Sequence, residues 1–207
     1  MATFNYVINT IPSNFLKADG KVLRNNYGTG DVVTLRGTNA GGWLVTENWQ
    51  CPVDAKDQRY ALEVLTQRFG AAKAWELLNV YQDNWWTEAD FDACKAEGMN
   101  ILRLPITYFE MANADGTLKQ SAFDRLDWFI QEAKERDIYV LIDMHGAFGS
   151  QNGKDHSGDT TIADIGDFYG NEANIQKTIV LWEAIANRYK DESIVCGYDL
   201  LNEPSTT

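Results

Sequence analysis

Four side chains able to do acid–base or hydrogen-bonding chemistry follow apolar runs: Arg103, His145, Asn202 and Glu203. Glu203 stands in Tyr198-Asp199-Leu200-Leu201-Asn202-Glu203-Pro204, after an apolar stretch that begins at Ile194. Such a stretch reads as a strand buried on both faces, as parallel sheets require. Pro204 has no N–H for a ladder, so pairing should stop there and leave Glu203 at the lip of a sheet. The lip of such a sheet is where α/β enzymes put catalytic groups. The alternative is a strand-end acid that only faces water. Arg103 lies in Leu102-Arg103-Leu104-Pro105; a guanidinium facing a sheet interior must find a carboxylate partner, because an unpaired buried charge is costly. His145 precedes Gly146, so its ring can lean over a pocket. With two histidines in the chain and no second ligand at metal spacing, a metal role is not expected and no cofactor is implied. A satisfied structural histidine is the competing reading.

These residues need elements to carry them. Val32–Asn39 is a β-branched strand running into Ala40-Gly41-Gly42-Trp43, Asn100–Pro105 a second strand ending in proline, Ile138–Asp143 a third, and Ile194–Glu203 a fourth. Helical patterns fill the intervals. Two lie near 57–69 and 71–84, and a third is capped by Thr87 with Asp90 three positions on and stopped by Gly98. Ser121 can cap a helix whose Phe123, Leu126, Ile130 and Ala133 share a face, ending near Arg136. Ile175, Ile179, Trp182, Ile185 and Tyr189 mark the last. Residues 1–30 form a preface with an Asp19-Gly20 hairpin signal, and 31–207 the functional domain. Alternating strands and helices indicate parallel βαβ units. A doubly wound nucleotide-binding sheet would carry a glycine fingerprint after its first strand. Gly37-Thr38-Asn39-Ala40-Gly41-Gly42 lacks that spacing, and Trp43 would crowd a pyrophosphate. Polar residues at several strand ends, Asn39 included, favour an α/β fold of the (β/α)8 TIM-barrel type.

Composition narrows the partners. A net charge of −12 over 207 residues argues against nucleic acid and against an anionic membrane surface. No apolar run approaches a membrane span, and Met1–Tyr6 lacks the pattern of a signal peptide, which leaves secreted and cytoplasmic locations open. Cys51, Cys94 and Cys196 are too few and too scattered for a disulfide framework, and the last two read as small core residues.

Four blocks carry a family likeness: Leu35-Arg36-Gly37-Thr38-Asn39-Ala40-Gly41-Gly42-Trp43-Leu44-Val45, Leu102-Arg103-Leu104-Pro105, Asp143-Met144-His145-Gly146 and Leu201-Asn202-Glu203-Pro204. Together they resemble glycoside hydrolase family 5. Glu47 and Gly149-Ser150-Gln151-Asn152-Gly153 resemble its exo-β-1,3-glucanase branch, with cellulases as relatives. The resemblance implies retaining hydrolysis of β-glucosidic bonds in a β-glucan or glucooligosaccharide by two carboxylates, with Glu203 as general acid/base. To carry a proton near neutral pH, that acid needs a second carboxylate roughly 5 Å away. It further implies that Asn202 holds the sugar 2-hydroxyl, that Arg103 supports the nucleophile, and that His145 donates to a sugar in the first subsite. Glu47 and Asn152 would line that subsite. Trp43 and Trp49, two of seven tryptophans, would stack on sugar faces, and Trp128 and Trp182 would be core.

The chain supplies about four β/α units, whereas the family barrel has eight, with the nucleophilic glutamate at the end of the seventh strand. Glu88, Glu97, Glu110 and Glu132 fall on helices or in mid-loop, and none substitutes for it. The expectation is the first half of a catalytic domain, its C-terminal half coming from the same gene or a second chain. A non-catalytic carbohydrate-binding half barrel is the alternative.

Overall fold

The computed structural model describes residues 6–8, 10–50, 54–160 and 166–205; Cys51 and the residues before Tyr6 lie outside them. β1 (Lys17–Asp19) and β2 (Val22–Arg24) form the hairpin at the Asp19-Gly20 signal. Gly20 takes the left-handed backbone (φ 61°) that the two-residue turn demands, and Arg24 closes on Asp19 at 2.8 Å.

The single strand expected over Val32–Asn39 is two strands in two sheets. β3 (Val32–Val33) adds antiparallel to β2, whereas β4 (Gly37–Asn39) opens a parallel sheet. Asn100 works the changeover: its side chain accepts from the Arg36 N–H at 2.8 Å and donates to the Thr34 carbonyl at 2.9 Å, occupying groups a continuous ladder would have used. Gly37 follows because a Cβ there would lie 1.6 Å from the Ile101 carbonyl oxygen.

The helices come next. α1 (Gln58–Phe69) is capped by Asp57, whose carboxylate accepts from the Tyr60 N–H at 2.7 Å, and α2 (Ala71–Trp85) restarts after Gly70. α3 (Glu88–Ala96) has the expected cap, Asp90 accepting from the Thr87 N–H at 2.7 Å, and Gly98 ends it with φ 72°. β5 (Ile101–Thr107) runs two residues past Pro105 instead of ending there. Arg103 O accepts from Ala40 N, so the odd-numbered residues of β5 turn their backbone groups toward β4. β4 ends opposite Arg103, so the missing N–H of Pro105 faces no ladder.

α4 (Tyr108–Met111) is a single turn. α5 (Asp124–Glu135) starts two residues later than a Ser121 cap would place it. Residues 121–123 form a turn, with Asp124 N bonded to the Ser121 carbonyl rather than a capping side chain. β6 (Tyr139–Gly146) carries His145 inside the strand. α6 (Glu172–Tyr189) buries Thr178, Leu181, Ile185 and Tyr189; Ile179, expected on the core face, is exposed. β7 (Val195–Asp199) is shorter than the expected Ile194–Glu203, so Leu200 to Glu203 stand beyond the ladder.

The parallel sheet has the order β4-β5-β6-β7. Leu102, Leu104 and Ile106 of β5 with Val140, Ile142 and Met144 of β6 are buried in one core cluster with Phe91, Leu126, Phe129, Ile130 and Ile185 from α3, α5 and α6. Cys94 is buried in that core and Cys196 lies partly buried in β7. By strand alternation, Arg103, Asp143 and His145 turn to the other face. No helix among the described residues is long and apolar enough to cross a membrane.

Candidate active site

The register brings Pro105, Asp143 and Asp199 level across three strands, so the strand ends gather charge at one place. Arg103 is its centre. Its Nη2 lies 2.7 Å from Asp199 Oδ2, 3.1 Å from Asp143 Oδ2 and 2.9 Å from Asn202 Oδ1, and its Nε lies 3.2 Å from Asp199 Oδ2. The required carboxylate partner is therefore a pair of aspartates within the chain. Asp143 is fully buried. Burial raises its carboxyl above the ordinary range, His145 and Arg103 pull it back, and the charge of Asp199 adds to the rise.

One hydrogen-bond chain sets the orientation of the site. Arg103 can only donate, so the oxygen of Asn202 faces it and the amide nitrogen turns to the histidines, 3.3 Å from His145 Nε2. His145 Nδ1 lies 2.6 Å from Asp143 Oδ2. The ring thus carries its proton on Nδ1 and offers a lone pair at Nε2. That reverses the direction expected for His145: in this arrangement Nε2 accepts.

Two loops hold the acid. Gln151, fully buried, donates to the His145 and Asn202 carbonyls, each at 2.8 Å, and accepts from Ala147 N at 3.2 Å. It ties the segment after β6 to the segment after β7. Asn152 donates to the Glu203 carbonyl at 3.1 Å and accepts from Lys154 N at 3.0 Å, so its amide secures the acid's backbone. Gly146 is needed for this packing, since a Cβ there would lie 2.1 Å from the Ser157 carbonyl oxygen. Glu203 itself sits in left-handed backbone (φ 41°), a conformation that costs a non-glycine residue about 1 kcal/mol. Its carboxylate is 73% exposed and 3.5 Å from His156 Nε2.

The structure therefore gathers Arg103, His145, Asn202, Glu203 and Asn152. Glu47 stands apart, its carboxylate accepting from the exposed Trp49 at 2.7 Å. Trp43 is corrected: it is fully buried, donates to the Gln82 carbonyl at 2.8 Å and stacks on Phe129, so no ring face is left for a sugar. His156, Asp143, Asp199 and Gln151 had no assigned role. Asp143 was within reach, because a residue two before His145 in a strand shares its face. His156 is the other histidine of the chain, and only the loop's return brings it beside Asn202 (3.5 Å) and Glu203. Chemically, the cluster is an exposed carboxylate on a rigid mount, beside an oriented imidazole acceptor and an amide donor.

A family model described as cellulase, glycosyl hydrolase family 5, matches residues 53–207. Probable glucan 1,3-beta-glucosidase A of Emericella nidulans is 36% identical over 175 residues, covering 82% of this chain and 42% of that protein. Glucan 1,3-beta-glucosidase of Blumeria graminis is 35% identical over 179 residues, covering 83% and 41%. The chain thus spans less than half the length of these relatives. Among solved structures, rutinosidase from Aspergillus niger superposes with a TM-score of 0.69 at 20% identity, covering 96% of this chain and 52% of that one. An endogalactoceramidase does so with a TM-score of 0.62 at 19% identity, covering 92% and 44%. At such identities the likeness is one of fold.

Proposed function

The chain belongs to glycosyl hydrolase family 5, and we propose that it forms the first four β/α units of a retaining β-glucan hydrolase with Glu203 as general acid/base. The family and its structural neighbours imply a (β/α)8 barrel, and the parallel order β4-β5-β6-β7 suits its first half. The observation that carries the reading is the mounting of Glu203: an exposed carboxylate on strained backbone, pinned by Asn152 and Gln151 beside the Arg103–Asn202–His145 chain.

In the first step, the Glu203 proton passes to the glycosidic oxygen as its bond to the anomeric carbon breaks, while a second carboxylate bonds that carbon. Water then bonds the anomeric carbon as its bond to that carboxylate breaks, and Glu203 takes the water's proton. The nucleophile is supplied by polypeptide outside these 207 residues. Asn202 Nδ2 gives one N–H to the His145 Nε2 lone pair, which fixes its direction, and its second N–H is the donor for a neighbouring sugar hydroxyl, a contact that strengthens as charge develops. Asp143 and Arg103 hold that pair in register. The substrate class is a β-glucan, as the names of the curated relatives suggest.

The test is Glu203→Gln in the complete protein. Hydrolysis of laminarin should be lost, while aryl β-glucosides with good leaving groups should still form the glycosyl-enzyme, and azide should restore turnover with retained configuration. Undiminished laminarin hydrolysis would remove Glu203 from the mechanism. Glucan binding without turnover by the parent protein would identify a sugar-binding domain instead.

A further inference from the structure

Glu110, in the single-turn α4 just after β5, has no part in the cluster around Glu203, yet two elements of the N-terminal half meet on it. Its Oε1 accepts from Gln58 Nε2 at 2.9 Å and from Gln82 Nε2 at 3.0 Å. Both glutamines are buried, one opening α1 and the other near the end of α2. Each in turn holds the loop that follows β4, Gln58 by its side chain and Gln82 by its main chain. Gln58 Oε1 accepts from the Thr46 N–H at 2.8 Å, and its Nε2 lies 3.4 Å from the Leu44 carbonyl. The Gln82 carbonyl accepts from Trp43 Nε1, and the next turn of α2 holds Gly41 through Trp85 Nε1 at 2.9 Å.

A buried glutamine amide has two ends to satisfy. With Glu110 taking the nitrogen of Gln58, its oxygen is committed to Thr46. Thr46 is the residue before Glu47, and Trp49 donates to Glu47 at 2.7 Å. On its other side Glu110 lines a cavity of about 420 Å³ with Trp75, Asp83, Lys119, Asp124 and Arg125. Burial pushes the Glu110 carboxyl up to about 7, against the pull of Lys119, the two glutamines and Arg125. A carboxyl kept at that cost calls for a positional explanation.

We infer that Glu110 is a positioning residue that acts through the Gln58 amide to hold the loop carrying Glu47 and Trp49, its bond to Gln82 tying that grip to α2. For its effect on turnover, this rests on the glucan-hydrolase reading above. Without Glu110 the Gln58 amide would lose the carboxylate that fixes its direction, and Glu47 and Trp49 would be freer to shift relative to the strand ends.

The experiment compares Glu110→Ala and Glu110→Gln in the full-length protein by amide hydrogen exchange. Glu110→Ala should speed exchange of the Thr46 N–H by about tenfold, the loss expected when a buried amide forfeits its partner. Glu110→Gln keeps an oxygen for both glutamines and should stay within about twofold of the parent. Ile185→Val, a core change on α6, controls for general loosening and should leave Thr46 unchanged. Parental exchange at Thr46 in Glu110→Ala, or equal acceleration in the control, would overturn the inference. Kinetics separate it from the reading beneath it. Glu110→Ala should raise KM for laminarin oligosaccharides about fivefold or more with a smaller change in kcat, and Glu110→Gln should restore it. Faster Thr46 exchange with unchanged KM would keep the positioning role and remove the loop from the substrate site.

Discussion

Replacing Arg103 by methionine should destabilise the protein chiefly at neutral pH. The guanidinium reaches Asp199 at 2.7 Å, Asn202 at 2.9 Å and the fully buried Asp143 at 3.1 Å. Methionine preserves the stem and removes every donor. Taking one partner from a fully buried ion pair costs roughly 3–5 kcal/mol. Here the Arg103 side chain is 24% exposed and that of Asp199 35%, so water recovers part of the loss. About 3 kcal/mol at pH 7 is the figure this geometry supports.

The pH dependence follows from Asp143. Its folded carboxyl already lies above the ordinary value, so the native state keeps a proton that the unfolded chain releases. Stability from that source is complete at acid pH and is lost as pH rises through the window between the two values. Removing Arg103 takes away an attraction that holds Asp143 down, so the window widens upward. The deficit of Arg103→Met should shrink toward about 1 kcal/mol as pH falls toward 4, where the raised Asp143 carboxyl of the native state is gaining its proton in both proteins. Adding Asp143→Asn should recover part of the loss at pH 7, since Asn still accepts from His145 Nδ1. Urea unfolding of the four proteins of this cycle at pH 4 and pH 7 is the assay. An equal deficit at both pH values, or additive losses in the double variant, would refute the reasoning.

Further tests bear on the site and its supports. His145→Ala or Asn202→Ala should lower kcat about tenfold or more with little change in KM, because the sugar contact of Asn202, which His145 orients, strengthens in the transition state; steady-state kinetics on a glucan oligosaccharide would reveal a purely ground-state role as a change in KM alone. Glu110→Gln should abolish a stability loss that the parent suffers as pH rises from about 4.5 to about 7, a window worth at most ~3 kcal/mol; identical pH profiles for the two would contradict the burial argument. Gly37→Ala should prevent β4 from seating, since its Cβ would fall 1.6 Å from the Ile101 carbonyl oxygen. Normal thermal stability in that variant would mean the β4–β5 approach is wrongly drawn.

Much of the architecture was legible in the residues because it rests on local rules. Period-3.6 apolar spacing located α5 and α6, Thr87 with Asp90 and Gly98 bounded α3, and the apolar runs ending in Arg103, His145 and Glu203 marked strands. The family blocks singled out Arg103, His145, Asn202 and Glu203, which the fold brings together. Tertiary structure decided the rest, through contacts between residues far apart in the chain. Val32–Asn39 reads as one strand, but Asn100, more than sixty residues on, divides it between two sheets. Pro105 ends a strand only where a neighbour needs its N–H, and β4 has already stopped there. Trp43 has the composition of a sugar platform, yet α2 and Phe129 enclose it. The proton on His145 is set by Arg103 through Asn202, and Glu110 acquires its setting from Gln58 and Gln82. Each depends on which groups meet in a desolvated interior, where one partner's direction fixes the next, and residue order along the chain does not encode that in any local pattern.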